Sequence, residues 1–334
     1  MKIKNSKAPI IFLMGPTASG KTALAIELYQ QAVKKREVIS STLQPAGIEI
    51  ISVDSAMVYT QMNIGSAKPS DQELILAPHH LIDFVDPRQS YSSSQFCVDA
   101  IRLINDIHQR ENIPLLVGGT MLYFKALKDG LSDLPATDQS IRLQVKQQLD
   151  EEGIEFLHKQ LAKIDPQTAK RLHVNDSQRV TRAIEVYQMT GKPLSSWHAQ
   201  QQKQALVNPL LSIVLAPQNR KWLHQRIELR FAQMIEEGFL DEVARLYSRG
   251  DLSLDCPSMR SVGYRQIWQY MDGQLSLSEA REKAVIATRQ LAKRQYTWLR
   301  SWPDALWFDP TDEKELVACQ QAVRDFMPVH GITN

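Results

Sequence analysis

The chain has 334 residues, with 43% hydrophobic and 23% charged content, the proportions of an ordinary globular protein large enough for an α/β domain and a second module. Its net charge of +2 does not announce nucleic acid, although a local basic patch still could. No stretch approaches the ~20 apolar residues of a membrane span, and the basic start MKIKNSK has no signal-peptide core behind it. Cys97, Cys256 and Cys319 lack zinc spacing and read as reduced thiols, so a soluble cytoplasmic protein is expected.

Pro9–Met14 (PIIFLM) reads as a buried strand, and Thr22–Gln30 reads as a helix with Ala23, Ile26 and Tyr29 at helical spacing. Between them GPTASGKT is an unbroken G-x-x-x-x-G-K-[ST] loop of the ATP- and nucleotide-binding type. Gly15 and Gly20 let the backbone of Pro16, Thr17, Ala18 and Ser19 curl so that its N–H groups face phosphate oxygens. The following helix adds its positive dipole end. Lys21 can reach the terminal phosphate, and Thr22 can offer a hydroxyl to Mg²⁺. The bland reading of the same letters is a chance glycine-rich turn.

Residues 34–47 are polar and irregular and read as a surface loop. Ile48–Val53 is a second buried strand ending at Asp54, His80–Val85 a third, and Ser92–Arg110 a helix. Ile113–Val117 is another strand, ending in Gly118, Gly119 and Thr120, followed by a helix closed by Gly130. Such alternation predicts a parallel sheet with helices on both faces. Ligands then bind beyond the carboxyl ends of the strands, where the loop, Asp54 and Thr120 meet.

From Leu131 to Gln204 the strand signal disappears. Asp165-Pro166 starts one helix, and Asp176 or Ser177 caps another that runs to Thr190 and stops at Gly191. This stretch reads as a helical insertion. Leu210–Leu215 restores a strand, and Arg220–Glu237, Phe239–Arg249, Gly263–Met271 and Leu277–Leu299 read as helices.

Asp54, a strand-tip carboxylate beside a phosphate loop, can bind Mg²⁺ through water, act as a general base, or merely cap a turn. Gly118 stands where many NTPases carry a magnesium-binding Asp, which weakens an ordinary ATPase reading. Arg226 and Arg230, four apart, share a helix face that is either solvated or turned to a diphosphate. Arg179 and Arg182 share another face. Residues 287–302 combine Arg289, Lys293, Arg294 and Arg300 with Tyr296, Trp298 and Trp302, and Arg289 to Arg300 contains no acidic residue. Bases can stack on such aromatics while the cations hold phosphates, although a helical Trp more often belongs to a core. Arg260 and Arg265 flank a further turn, and the histidines show no metal spacing.

Taken in order, FLMGPTASGKTALAIEL, ISVDSAMVY, IGSAKP, LVGGTMLYFKAL, NDSQRVTRAIEV, LHQRIELRF, SVGYRQIW and ATRQLAKRQYTWLR resemble the bacterial tRNA dimethylallyltransferase family over nearly the whole chain. The resemblance implies an α/β P-loop kinase-like parallel-sheet core (1–130 and 205–334) with helical C-terminal part, and an inserted all-helical domain (131–204) that contacts tRNA. It implies transfer of a dimethylallyl group from dimethylallyl diphosphate to N6 of adenosine 37 beside the anticodon, with Mg²⁺, by a cytoplasmic monomer that binds no membrane. In the family the loop (Gly15, Pro16, Thr17, Ala18, Ser19, Gly20, Lys21 and Thr22 here) holds the donor's diphosphate, not ATP. Lys21, Thr22 and Arg230 match diphosphate and metal contacts, and Asp54 matches the general base. The family's tRNA-contacting positions fall on Asp54, Ser55, Ala56, Met57 and Thr120, and on Gln178, Arg179, Val180, Thr181 and Arg182. They continue on Arg260, Ser261, Val262, Gly263, Tyr264 and Arg265, and on Lys293, Arg294, Gln295, Tyr296, Thr297, Trp298, Leu299 and Arg300. Two features depart from relatives: extra residues near 34–47, and no zinc-finger extension of the eukaryotic kind. The rival readings are a small-molecule ATP kinase, which leaves the basic stretch unexplained, and a non-catalytic RNA-binding switch.

Overall fold

The computed structural model describes residues 3–4, 7–38, 47–130, 138–199 and 206–327. In chain order, β1 (Ile10–Met14), α1 (Lys21–Val38), β2 (Ile48–Val53), α2 (Asp71–Leu76), β3 (His79–His80), α3 (Ser93–Gln109), β4 (Ile113–Gly118) and α4 (Met121–Asp129) come first. Four helices follow: α5 (Gln139–Ile164), α6 (Pro166–Arg171), α7 (Ser177–Thr190) and α8 (Leu194–Ala199). The chain then runs through β5 (Leu210–Leu215), α9 (Arg220–Glu236), α10 (Phe239–Tyr247), α11 (Tyr264–Met271), α12 (Leu277–Leu299), β6 (Leu306–Phe308) and α13 (Glu313–Phe326). It divides into two compact units, Met1–Lys128 with Leu206–Asn334, and Asp129–Ala205.

The first unit is built on a parallel sheet in the order β3-β2-β4-β1-β5-β6. Its central strands are apolar runs because both faces are covered. On β1, Ile11 and Leu13 pack with Leu24, Ala25 and Leu28 of α1 and with Cys319 and Val323 of α13. Phe12 points the other way, with ring centroids 5.0 Å from Phe124 and 6.3 Å from Trp302. A separate helical cluster joins Phe231, Phe239, Val243, Tyr264 and Trp268 to Val58, Tyr59 and Met62 from the segment after β2.

Caps fix several helix starts. Ser92 with Gln95 and Ser276 with Glu279 form reciprocal capping boxes on α3 and α12. In the second unit, Asp176 caps α7 by accepting from the Arg179 N–H, and Gly191 ends it with φ 67°. That unit has its own core, in which Val145, Leu157 and Leu161 of α5 meet Val180, Ala183 and Ile184 of α7.

The elements differ from the sequence reading in identifiable places. Helix α1 continues to Val38, so the start of the expected 34–47 loop is helical; residues 39–46 lie outside the described residues. The expected strand over His80–Val85 shrinks to His79–His80, because Leu81 (φ 61°) and Asp83 (φ 57°) turn left-handed and break the extended run. Val85 returns only as an isolated bridge to Tyr59. Among the described residues no helix is long and apolar enough to cross a membrane, and Cys97, Cys256 and Cys319 are free thiols.

Candidate active site

The phosphate loop leaves β1 at Gly15, where a Cβ would stand 2.3 Å from the Leu215 carbonyl of β5. Ala18 (φ 63°) and Gly20 (φ 92°) are left-handed, which curls the loop. A non-glycine residue in that conformation is unfavourable and persists only where its surroundings hold it. Ala18 is held in two ways. Its methyl packs with Leu223 and Ile227 of α9 and Ala292 of α12, and its carbonyl accepts the Arg226 Nε hydrogen at 3.2 Å. The Arg226 guanidinium lies 4.9 Å over the Trp222 ring. Arg226 is therefore a support of the loop rather than part of a merely solvated face. The Lys21 ammonium donates to the Pro16 carbonyl at 2.6 Å and to Ser19 Oγ at 3.4 Å.

Asp54 emerges from β2, and its Oδ1 accepts the backbone hydrogens of Ala56 (2.8 Å) and Met57 (3.1 Å). This turn-capping leaves the second carboxylate oxygen available. Thr120, just past β4, accepts the Ser55 N–H on its Oγ1 at 3.1 Å and so ties the two strand tips together. No side chain fits at Gly118, since a Cβ there would lie 2.1 Å from the Val53 carbonyl. A carboxylate on β4 is thus excluded by the sheet itself.

Electrostatics brings distant parts of the chain to this end of the sheet. Burial first, and the Arg230 guanidinium second, push the Lys21 ammonium down to about 7, with Asp54 opposing the shift. Arg230 is likewise lowered by burial, supported by Asp54 and disfavoured by Arg226. Lys21, Arg230 and Asp54, all half-buried, therefore lie close enough to act on one another, two cations against one anion. Burial raises the Tyr123 phenol, whose hydroxyl donates to the Tyr91 carbonyl at 3.1 Å, and Tyr59 and Asp54 add smaller effects.

The segment between Asp54 and Lys68 is anchored by residues the sequence did not reveal. The buried Glu242 carboxylate accepts N–H groups of Asn63 (2.8 Å), Ile64 (2.8 Å) and Gly65 (3.0 Å) and the Tyr264 hydroxyl (2.6 Å). Gly65 is required there because a Cβ would lie 2.1 Å from the Phe239 ring. Lys68 donates to the Tyr59 carbonyl (2.9 Å), Asn63 Oδ1 (2.7 Å) and Asp83 Oδ1 (2.6 Å). In sequence Glu242 is one of two adjacent acids on an amphipathic helix, with no local signal.

The expected RNA-contacting positions divide by exposure. Lys293, Arg294, Thr297 and Arg300 on and after α12 are exposed, as are Arg260 and Arg265 beside α11 and Gln178 and Arg179 on α7 of the second unit. Ser261, Val262, Thr181 and Trp298 are half-buried. Five of these positions are buried. Val180 faces the core of the second unit, Tyr264 is buried against Phe239 with its hydroxyl on Glu242, and Leu299 is fully buried. Gln295 is also buried and turned inward: its Oε1 accepts the Thr17 N–H at 2.8 Å, and its Nε2 donates to the Gly119 carbonyl at 2.9 Å. Gly263, with φ 91°, backs onto Phe239 and Phe231. Tyr296 gives its hydroxyl to the Pro217 carbonyl at 2.6 Å, and Trp302 is a core residue. Nor are all the basic residues unpaired. Arg289 pairs with Glu228, Arg182 with Glu185 at 3.3 Å, and Arg179 with Asp176 at 3.3 Å.

Among the described residues no group of three or more His, Cys, Asp or Glu could hold a metal ion. The Thr22 hydroxyl at the loop fits Mg²⁺ only in its usual mode, with waters and ligand phosphates completing the shell.

The IPP transferase family model matches residues 57–302. The chain belongs to the IPP transferase family. A tRNA dimethylallyltransferase of Coxiella burnetii (strain Dugway 5J108-111) is 49% identical over 314 residues, covering 94% of this chain and 96% of the relative. That of strain CbuG_Q212 is 50% identical over 305 residues, covering 91% and 96%. The crystal structure of the full-length tRNA isopentenylpyrophosphate transferase of Bacillus halodurans matches with a TM-score of 0.66 at 35% identity, covering 96% of this chain and 97% of that one. A eukaryotic dimethylallyltransferase captured acting on tRNA matches with a TM-score of 0.78 at 28% identity, covering 98% and 81%.

Proposed function

We propose that this enzyme transfers the dimethylallyl group of dimethylallyl diphosphate to N6 of adenosine 37 of a tRNA, releasing diphosphate. The observation that carries the proposal is the meeting of the Lys21, Arg230 and Asp54 charges beside the phosphate loop. Two half-buried cations beside a phosphate loop suit a diphosphate whose charge grows as it leaves. One carboxylate at the same place suits an acceptor that must lose a proton.

The bond from C1 of the dimethylallyl group to the diphosphate oxygen breaks, and a bond from C1 to N6 forms. Lys21, Arg230 and the loop N–H groups take up the negative charge left on the diphosphate. N6 is a weak nucleophile and sheds one proton as it bonds, and the free oxygen of Asp54 accepts that proton. The other Asp54 oxygen stays on the Ala56 and Met57 N–H groups, so the base is held in place through the step. Mg²⁺, held by Thr22 and the donor's phosphates, would add Lewis-acid stabilisation of the leaving group. The target base must leave the anticodon-loop stack to reach the site, at a cost of a few kcal/mol. Exposed Lys293, Arg294 and Arg300, with Arg179 on the second unit, are assigned to the tRNA backbone. A tRNA substrate and three free thiols fit a cytoplasmic enzyme, and we assign it as a monomer.

A ligand-binding comparison tests the donor assignment. Dimethylallyl diphosphate and inorganic diphosphate, each with Mg²⁺, are expected to raise the melting temperature, and ATP is not. Protection by ATP alone would instead support a small-molecule kinase.

A further inference from the structure

We infer that Gln295 is a positioning residue for the donor's diphosphate, acting through the Thr17 N–H and not by touching RNA; the inference rests on the proposed prenyl transfer. Gln295 lies on α12 among exposed Lys293, Arg294 and Thr297, but its own side chain is only 8% exposed. Both ends of its amide are matched: Oε1 accepts from Thr17 of the phosphate loop, and Nε2 donates to the Gly119 carbonyl just past β4. The backbone is shaped around this amide. A Cβ at Gly119 would stand 2.4 Å from Nε2, so only glycine admits the contact.

The contact falls where the loop needs it. Thr17 precedes Ala18, the non-glycine residue held at φ 63°, and a strained conformation persists only when its neighbours over-determine it. Gln295 holds the N–H on one side of Ala18, while Arg226 holds the Ala18 carbonyl. Together they set the curl that aims the N–H groups running on to Thr22 at phosphate. Neighbouring positions of α12 thus divide their work: the exposed cations meet solvent, and the buried amide fixes the loop.

Two variants test this from opposite sides. Gln295→Met keeps length and volume but removes both hydrogen bonds. Gly119→Ala keeps Gln295 and puts a methyl where its amide sits. Each is expected to raise the calorimetric Kd of inorganic diphosphate with Mg²⁺, and the KM of dimethylallyl diphosphate, by about tenfold, the usual scale for one buried hydrogen-bonded anchor. The Kd and KM of an unmodified anticodon stem-loop should stay within about twofold of wild type, since a buried amide presents nothing to RNA. A merely structural role would lower the active fraction, and with it kcat, without this selective effect on the donor. If Gln295→Met fails to fold, Gly119→Ala decides. Unchanged diphosphate affinity in a folded variant overturns the inference, as does stem-loop affinity weakened as much as that of diphosphate. Wild-type protein that binds diphosphate but transfers no prenyl group sinks the prenyl-transfer reading, and the diphosphate Kd comparison still judges Gln295.

Discussion

Lys21 and Arg230, 209 positions apart in sequence, act on each other as like charges beside the phosphate loop. Burial and this repulsion hold Lys21 at about 7, and Asp54 supplies the counter-charge that both cations feel. A site with two cations against one anion is set for a further anion.

One consequence is proton linkage. The folded Lys21 titrates near 7 and the unfolded one near 10.5, so between these values the unfolded state binds the extra proton. The ligand-free protein should gain stability as pH rises through that window, and the penalty of charging Lys21 should be fully present below it. A bound diphosphate restores the ammonium. At pH 8 binding should therefore take up more protons in wild type than in Lys21→Met, by an amount approaching one; at pH 6 the difference should vanish. Calorimetry in buffers of different ionisation enthalpy reads it directly, and equal uptake by both proteins at pH 8 would remove Lys21 from the site.

Asp54→Asn should keep the turn, because the amide oxygen still accepts from Ala56 and Met57, but it removes the proton acceptor. Single-turnover transfer should fall ~10²-fold or more, with donor and stem-loop affinities near wild type. A rate within a few-fold of wild type would make Asp54 a turn cap only.

Glu242→Gln should be a stability mutant before it is a catalytic one. A single carboxylate satisfies Asn63, Ile64, Gly65 and Tyr264, and an amide must turn one N–H toward another donor. Disrupting a buried network of this kind costs about 3 kcal/mol, read as a shift in the denaturant midpoint. A loss under about 1 kcal/mol would show that the segment after Asp54 is held elsewhere.

RNA binding should be steeply salt-dependent. Neutralising exposed Lys293 and Arg294 together should flatten the slope of log Kd against log salt by roughly one to two units, at about 0.7 to 0.9 per phosphate contact. Arg289, paired with Glu228, should contribute far less. An unchanged slope in the double variant would make this edge of α12 an ordinary solvated face.

The sheet was legible because its buried parallel strands are short, unbroken apolar runs. Ile48–Val53 and Leu210–Leu215 have the bounds read from sequence, and Asp176 or Ser177 with Gly191 marked α7 through cap chemistry alone, the cap itself being Asp176. Helix α5 was not, because its buried residues are sparse and Gly153 (φ 79°, ψ 169°) breaks its periodicity midway. Strand β6 is three residues long and largely exposed, too little for a pattern. At the site, Lys21 and Thr22 could be read because the loop motif is local. Gln295 and Glu242 could not be assigned their partners, which lie 278 and up to 179 positions away. No spacing rule reaches that far; only the folded sheet and its helices bring them together.

The most direct measurement incubates the protein with unmodified tRNA, labelled dimethylallyl diphosphate and Mg²⁺, then digests the RNA to nucleosides. Label on N6 of the adenosine at position 37, with one diphosphate released per label and no transfer by Asp54→Asn, is the expected result. RNA that stays unlabelled with a folded protein and intact donor, or label on any other atom, contradicts the proposed chemistry.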